Sequence, residues 1–135
     1  MGRHTVADMR AAHAAGGRFA AVTAWDRPTA EFAEAAGIHF MLVGDSLAQV
    51  ALGHESTVRV GMSEMLHHTA AVVRSTSTAL VIGDMPFLSY VDVPTAAENA
   101  ARFIREAGAG AVKLEGGAAA APIVAALVRS GVPVI

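Results

Sequence analysis

The chain has 135 residues, 53% of them hydrophobic and 16% charged, with a net charge of -2 and no cysteine. That composition fits one packed domain over residues 1–135 and excludes a disordered chain, a disulfide framework and thiolate metal sites. It contains no basic stripe, no signal-like apolar core and no run of about 18 apolar residues, so neither nucleic acid nor membrane is an expected partner, and a soluble cytoplasmic protein is the expectation.

In chain order, residues 19–25, FAAVTAW, have the character of a strand. DRPTAEFAEAAG follows as a helix, with Asp26 as N-cap, Pro28 in the first turn and Gly37 as the stop. Residues 39–43, HFMLV, form a second strand, and 44–61 read as a loop. Ser63 opens a helix whose Met62, Met65, Leu66, Val72 and Val73 keep helical spacing and belong to the core. ALVIGD, 79–84, is a third strand, and MPFLSYVDVP is a loop. Thr95-x-x-Glu98 reads as the capping box of a helix that carries Ala100, Phe103, Ile104 and Ala107 on one face and stops at Gly108. AVKLEGG, 111–117, is a fourth strand with its exit loop. A helix from Pro122 to Arg129 leads to VPVI, the start of a fifth strand.

This alternation predicts parallel strands with helices outside. Repeats of about 30–40 residues match a barrel unit, and a complete (β/α)₈ barrel takes about 250 residues. The expected fold is therefore α/β, of the TIM-barrel type, with this chain covering about the first half: strands one to four and the start of strand five. A small doubly wound open sheet is the structural alternative.

In such folds the chemistry sits at the C-terminal strand ends. Asp26 follows the first strand, Asp45 and Ser46 the second, Asp84 ends the third, and Lys113 and Glu115 end the fourth. Residues i and i+2 of a strand share a face, so Lys113 and Glu115 point the same way. Lys113 is the only lysine among ten basic residues, and a lysine is a compact charge that arginine does not replace at a tight site. Like charges gathered on one rim call for a cation between them, and oxygen-only ligands suit a hard ion such as Mg²⁺. A single acid after a strand is ordinarily a helix cap, which is the reading kept for Asp26. Asp45, Asp84 and Glu115 together are candidate metal ligands. His67 and His68 are adjacent on a helix and face different ways, and His54 lies in a loop, so none is a candidate ligand. GDSL also occurs in serine hydrolases, but no D-x-x-H follows it and it does not match the G-x-S-x-G elbow.

VTAWDRPTAEFAEAAGIHFMLVGDSLAQVALGHEST, ALVIGDMPFLSY and AGAGAVKLEGG, in that order, resemble the ketopantoate hydroxymethyltransferase (3-methyl-2-oxobutanoate hydroxymethyltransferase) family. The resemblance runs from about residue 18 to the last residue. It implies a (β/α)₈ barrel related to phosphoenolpyruvate mutase and isocitrate lyase. The implied reaction moves a one-carbon unit from 5,10-methylenetetrahydrofolate to 3-methyl-2-oxobutanoate, giving 2-dehydropantoate for pantothenate synthesis through a Mg²⁺-stabilised enolate. It assigns Asp45, Asp84 and Glu115 to the metal, and Asp45, Ser46, Asp84 and Lys113 to the keto acid. The general base is expected on a strand beyond residue 135, so no catalytic residue is assigned within the chain, and a homo-oligomer is implied for the full-length protein. Ala48 and Gln49 depart from the family's usual GDSLGMV. The alternatives are a non-catalytic half-barrel and another 2-keto-acid or enolate enzyme of the same superfamily.

Overall fold

The computed structural model describes residues 2–135. Its elements are α1 (Val6–Ala14), β1 (Ala21–Thr23), α2 (Arg27–Ala35), β2 (Phe40–Val43), α3 (Leu47–Val50), α4 (Met62–Arg74), β3 (Leu80–Asp84), α5 (Val93–Arg105), β4 (Ala111–Lys113) and α6 (Gly117–Arg129). The strands form one parallel sheet in the order β1-β2-β3-β4. Sequential order is what a barrel wall requires, whereas a doubly wound sheet reverses its order at a switch point. A parallel bridge between Val112 and Val134 begins a fifth neighbour beside β4.

Strand periodicity sorts the side chains between two faces. Met41, Val43, Val81 and Val112 are buried against the helices, among Met65, Val72, Phe103 and Leu127. Gly83 belongs to this face: a Cβ there would lie 2.3 Å from Phe103 Cδ1, so only glycine lets that ring rest on the strand. Phe40, Leu80, Ile82 and Ala111 cluster separately, with Val6 and Met9 of α1 packed on them. Asp84 stands two residues beyond Ile82 and Lys113 two beyond Ala111. The same period therefore carries both to the second face, paired in register at the C-terminal end of the sheet.

Several boundaries differ from the sequence expectation. α1 was not foreseen, although its signal is present: Thr5 and Asp8 form a capping box, with Asp8 Oδ2 accepting from the Thr5 N–H at 2.7 Å. α4 begins at Met62 rather than Ser63, because Glu64 reaches back to accept from the Gly61 N–H at 2.9 Å. α5 begins before the proposed Thr95 box. Its cap is Asp92, which accepts from the Thr95 N–H at 2.8 Å, and the helix opens with Val93 and a proline in the first turn. α6 starts at Gly117, with Pro122 inside it. Within 44–61 lie α3 and a 3₁₀ turn at Thr57–Arg59. Asp26 caps α2 as expected, accepting from the Thr29 N–H at 2.9 Å. Among the described residues no helix is long and apolar enough to cross a membrane.

Two long-range anchors tie the units together at the other end of the sheet. The Glu34 carboxylate of α2 accepts from the backbone N–H groups of Ser77, Thr78 and Ala79 at 2.8–3.1 Å, just before β3. The Arg3 guanidinium donates to the carbonyls of Val73 and Thr76 at and just past the end of α4, to the Ala79 carbonyl just before β3, and to the Thr76 hydroxyl. A cation at a helix C-terminus satisfies carbonyls that the helix cannot.

Candidate active site

Three strand ends and their loops enclose a cavity of about 200 Å³ that holds Asp45, Asp84, Lys113 and Glu115. Asp84 is the enclosed member, 4% exposed at the tip of β3. Its Oδ1 accepts from Lys113 Nζ at 2.9 Å, and its Oδ2 from the Asp45 backbone N–H at 3.1 Å. Lys113 Nζ also donates to Glu115 Oε1 at 2.6 Å, and the Glu115 side chain is 74% exposed. One ammonium thus bridges a buried carboxylate and a solvated one. Ser46 does not line the cavity: its Oγ lies beside Gly44, where a Cβ would sit 3.2 Å from it and 3.7 Å from Asp84 Oδ2.

The electrostatics follow from this geometry. Burial pushes the Asp84 carboxyl up from its ordinary range, and the Lys113 ammonium and the Asp45 N–H only partly offset it. Burial pulls Lys113 the other way, toward loss of its proton, but its hydrogen bonds to Glu115 and Asp84 outweigh that and leave it raised. Both partners move up because one lysine faces two acids while Asp84 is closed off from water. Lys113 holds Glu115 below the usual carboxylate range. The neighbouring Asp45 charge adds to the upward push on Asp84.

The donor set suits a hard cation. All three carboxylates meet the cavity, the chain has no thiolate to offer, and the half-buried Asp45 carboxylate accepts no hydrogen bond among the described residues. The acids do not enclose one point: among the described residues no three His, Asp or Glu side chains are grouped as a ready metal centre. Lys113 stands where the charge of Asp84 and Glu115 converges. Asp45 and Asp84 are the residues that could hold a metal, with Glu115 at the open side.

The rest of the lining escaped the sequence reading. Thr57, Val58, Met85, Phe87 and Tyr90 complete the walls, and all come from stretches read only as loops. A larger cavity of about 500 Å³ lies at the opposite end of the sheet, around His4, Phe19, His39 and Phe40. Its one carboxylate, Asp8, is engaged by Thr5.

A parallel wall in sequential order, with its charged groups at the C-terminal strand ends, has the architecture of half of a (β/α)₈ barrel, a fold whose active sites are built at that end. The fold is shared with 2,3-dimethylmalate lyase, a phosphoenolpyruvate mutase/isocitrate lyase superfamily member, at a TM-score of 0.68 and 18% identity over 93% of this chain and 49% of that one. It is shared also with phosphonopyruvate hydrolase, solved in complex with oxalate and Mg²⁺, at a TM-score of 0.67 and 21% identity over 78% of this chain and 36% of that one. Within this architecture the chain belongs to the ketopantoate hydroxymethyltransferase family, whose profile matches residues 3–135. A 3-methyl-2-oxobutanoate hydroxymethyltransferase of Syntrophobacter fumaroxidans is 60% identical over 114 residues, covering 84% of this chain and 40% of that protein. The chain spans about half the length of the curated relatives it matches.

Proposed function

We propose that the chain carries the keto-acid and metal side of a hydroxymethyltransferase site. The reaction would move the one-carbon unit of 5,10-methylenetetrahydrofolate to 3-methyl-2-oxobutanoate and yield 2-dehydropantoate. The observation that supports this reading best is the grouping of Asp45, Asp84, Lys113 and Glu115 around one small cavity at the strand ends. Family membership supplies the reaction type.

Asp45 and Asp84 would hold Mg²⁺, with Glu115 as the third acid. Bound there, Mg²⁺ supplies Lewis-acid charge to the carboxylate and keto oxygens of a 2-keto acid. Lys113 keeps its proton in this setting and offers positive charge to an anionic oxygen of the substrate. Ser46, which follows β2 and stays outside the cavity lining, would have to turn its hydroxyl toward the cavity to donate to the keto acid. The Asp45 backbone N–H fixes the orientation of the Asp84 carboxylate, so the site is pre-arranged before substrate enters. Removal of the C3 proton of the keto acid needs a base, expected from a strand after residue 135. The resulting carbanion equivalent forms the new carbon–carbon bond to the folate-borne methylene carbon as both carbon–nitrogen bonds of that carbon break in turn; water supplies the hydroxyl oxygen, and its remaining proton and the one taken from C3 end on the two folate nitrogens. The same reading includes a homo-oligomer in the cytoplasm.

The test is an assay for 2-dehydropantoate from both substrates with Mg²⁺, alongside deuterium exchange at C3 of 3-methyl-2-oxobutanoate in heavy water, run on residues 1–135 and on the full-length protein that includes the strand with the base. Mg²⁺-dependent product formation with C3 exchange is expected of the full-length protein, and neither is expected of residues 1–135 alone. Exchange or cleavage of a different 2-keto acid, without transfer to this one, would assign the site to another reaction of the superfamily.

A further inference from the structure

The loop after β3 contains a backbone conformation that its sequence does not advertise. Leu88 has φ 63, the one positive-φ residue other than glycine among those described. A leucine is disfavoured there because its Cβ crowds the following carbonyl, and such outliers concentrate at working sites. Leu88 is the third residue of a turn closed by the Ser89 N–H, which donates to the Pro86 carbonyl at 3.0 Å. The turn is anchored from below: Asn99 Nδ2 of α5 donates to the Ser89 carbonyl at 2.8 Å, and Ser89 is 6% exposed. Its second residue is Phe87, which lines the cavity of Asp84 and Lys113 yet is 61% exposed. The strain is not repaid by packing of Leu88 itself, which is 62% exposed. What the turn does is hold an aromatic ring at the wall of a charged cavity.

We infer that Phe87, held by the strained Pro86–Ser89 turn, is the specificity-determining residue for the alkyl branch of the 2-keto acid. This rests on the function proposed above. The charged groups of the cavity suit the carboxylate and keto oxygens of such an acid. The remaining lining is Thr57, Val58, Met85, Phe87 and Tyr90, so a branched alkyl group is left to the apolar members. Met85 is buried beside Asp84, and Val58 is 54% exposed in a different loop. Phe87 is the bulky wall whose placement a dedicated turn fixes. A ring held in one place rejects a longer branch, and one carried by a relaxed turn yields to it. Leu88 is then a positioning residue that acts through Phe87.

The experiment is calorimetric titration of the purified protein, with Mg²⁺ present, against 3-methyl-2-oxobutanoate and its one-carbon-longer homologue 3-methyl-2-oxopentanoate. One methylene in a shaped apolar pocket is worth about 10-fold or more in discrimination, and that preference for the shorter acid is expected of the unsubstituted protein. Phe87→Ala should bring the ratio of the two affinities to within about 3-fold, mostly by improving the longer acid. Leu88→Gly should narrow the ratio in the same direction while its thermal midpoint stays equal or rises, since glycine relieves the positive φ. A purely structural role for Leu88 would lower the midpoint and leave the ratio alone. Binding with an unchanged ratio in both variants overturns this inference and leaves the proposed function standing. Failure of the unsubstituted protein to bind either acid overturns both.

Discussion

Replacing Asp84 by asparagine separates folding from function. The side chain keeps its shape, and its oxygen can still accept from the Asp45 N–H, now 3.1 Å from Oδ2. What is lost is a negative charge 2.9 Å from Lys113 Nζ. At an effective dielectric of 20 that attraction is about 6 kcal/mol. Against it stands the cost of keeping a carboxylate out of water, several kcal/mol per buried ion. The two nearly cancel, and the upward push on the Asp84 carboxyl says that burial has the larger share. Lys113 is not stranded by the change, because Glu115 Oε1 remains 2.6 Å away. Asp84→Asn should therefore leave folding stability at neutral pH within about 1 kcal/mol of the parent, or slightly above it. Metal affinity should fall far more. Loss of an outer partner of a metal site costs about 10–100-fold, and loss of a ligand at least that. Keto-acid affinity measured with Mg²⁺ present should fall in step. Circular dichroism melting without metal and calorimetric Mg²⁺ titration give the two numbers. A destabilisation of about 3 kcal/mol or more with unchanged Mg²⁺ binding would refute the reasoning, for it would make Asp84 a structural ion-pair partner.

Other substitutions probe the frame around the site. Burial alone would raise the Glu34 carboxyl, but the N–H groups of residues 77–79 and the Thr78 hydroxyl outweigh it and lower it. Stability from this contact is thus present above the unfolded carboxylate range and lost as pH falls through the lowered native value. Glu34→Gln should cost about 1–2 kcal/mol near neutral pH, after allowance for solvent screening, and should flatten the acid limb of a stability–pH curve; an unaltered acid limb would count against the account. Asp26→Ala should cost about 1 kcal/mol as a lost cap and leave keto-acid binding unchanged in calorimetry, whereas weakened binding would return Asp26 to the site. Arg3→Ala should cost about 1–2 kcal/mol and speed amide hydrogen exchange around residues 76–79 without altering Mg²⁺ affinity.

The sheet and its order were legible because alternation of short apolar strands with capped helices is written locally, residue by residue. Asp45, Asp84, Lys113 and Glu115 could be gathered on one rim by strand period and strand polarity alone. The loops were opaque for the opposite reason. Thr57 and Val58 reach the cavity through a 3₁₀ turn that lies among loop residues, and nothing in the letters of Leu88 announces a left-handed backbone. Helix starts were misjudged where two cap signals compete within a few residues. Asp92 lies three residues ahead of Thr95, and the hydrogen bond from the Thr95 N–H, rather than the residue pattern, decides between them. Pro122 looked like a helix opener and lies inside α6, in an alanine-rich stretch that tolerates the missing donor.

The contact of Gly83 with the Phe103 ring has an evolutionary consequence. An added methyl group at 83 would meet Cδ1 at 2.3 Å and Cε1 at 2.7 Å, so the two positions share one allotment of space. Alanine at 83 becomes acceptable only after 103 has shrunk, and a smaller residue at 103 leaves a void until 83 has grown. Each single step is harmful while the pair together conserves volume. Descendants of this sequence should therefore change these positions jointly or not at all, and a pairwise mutational scan would register them as strongly epistatic despite their distance of twenty residues along the chain.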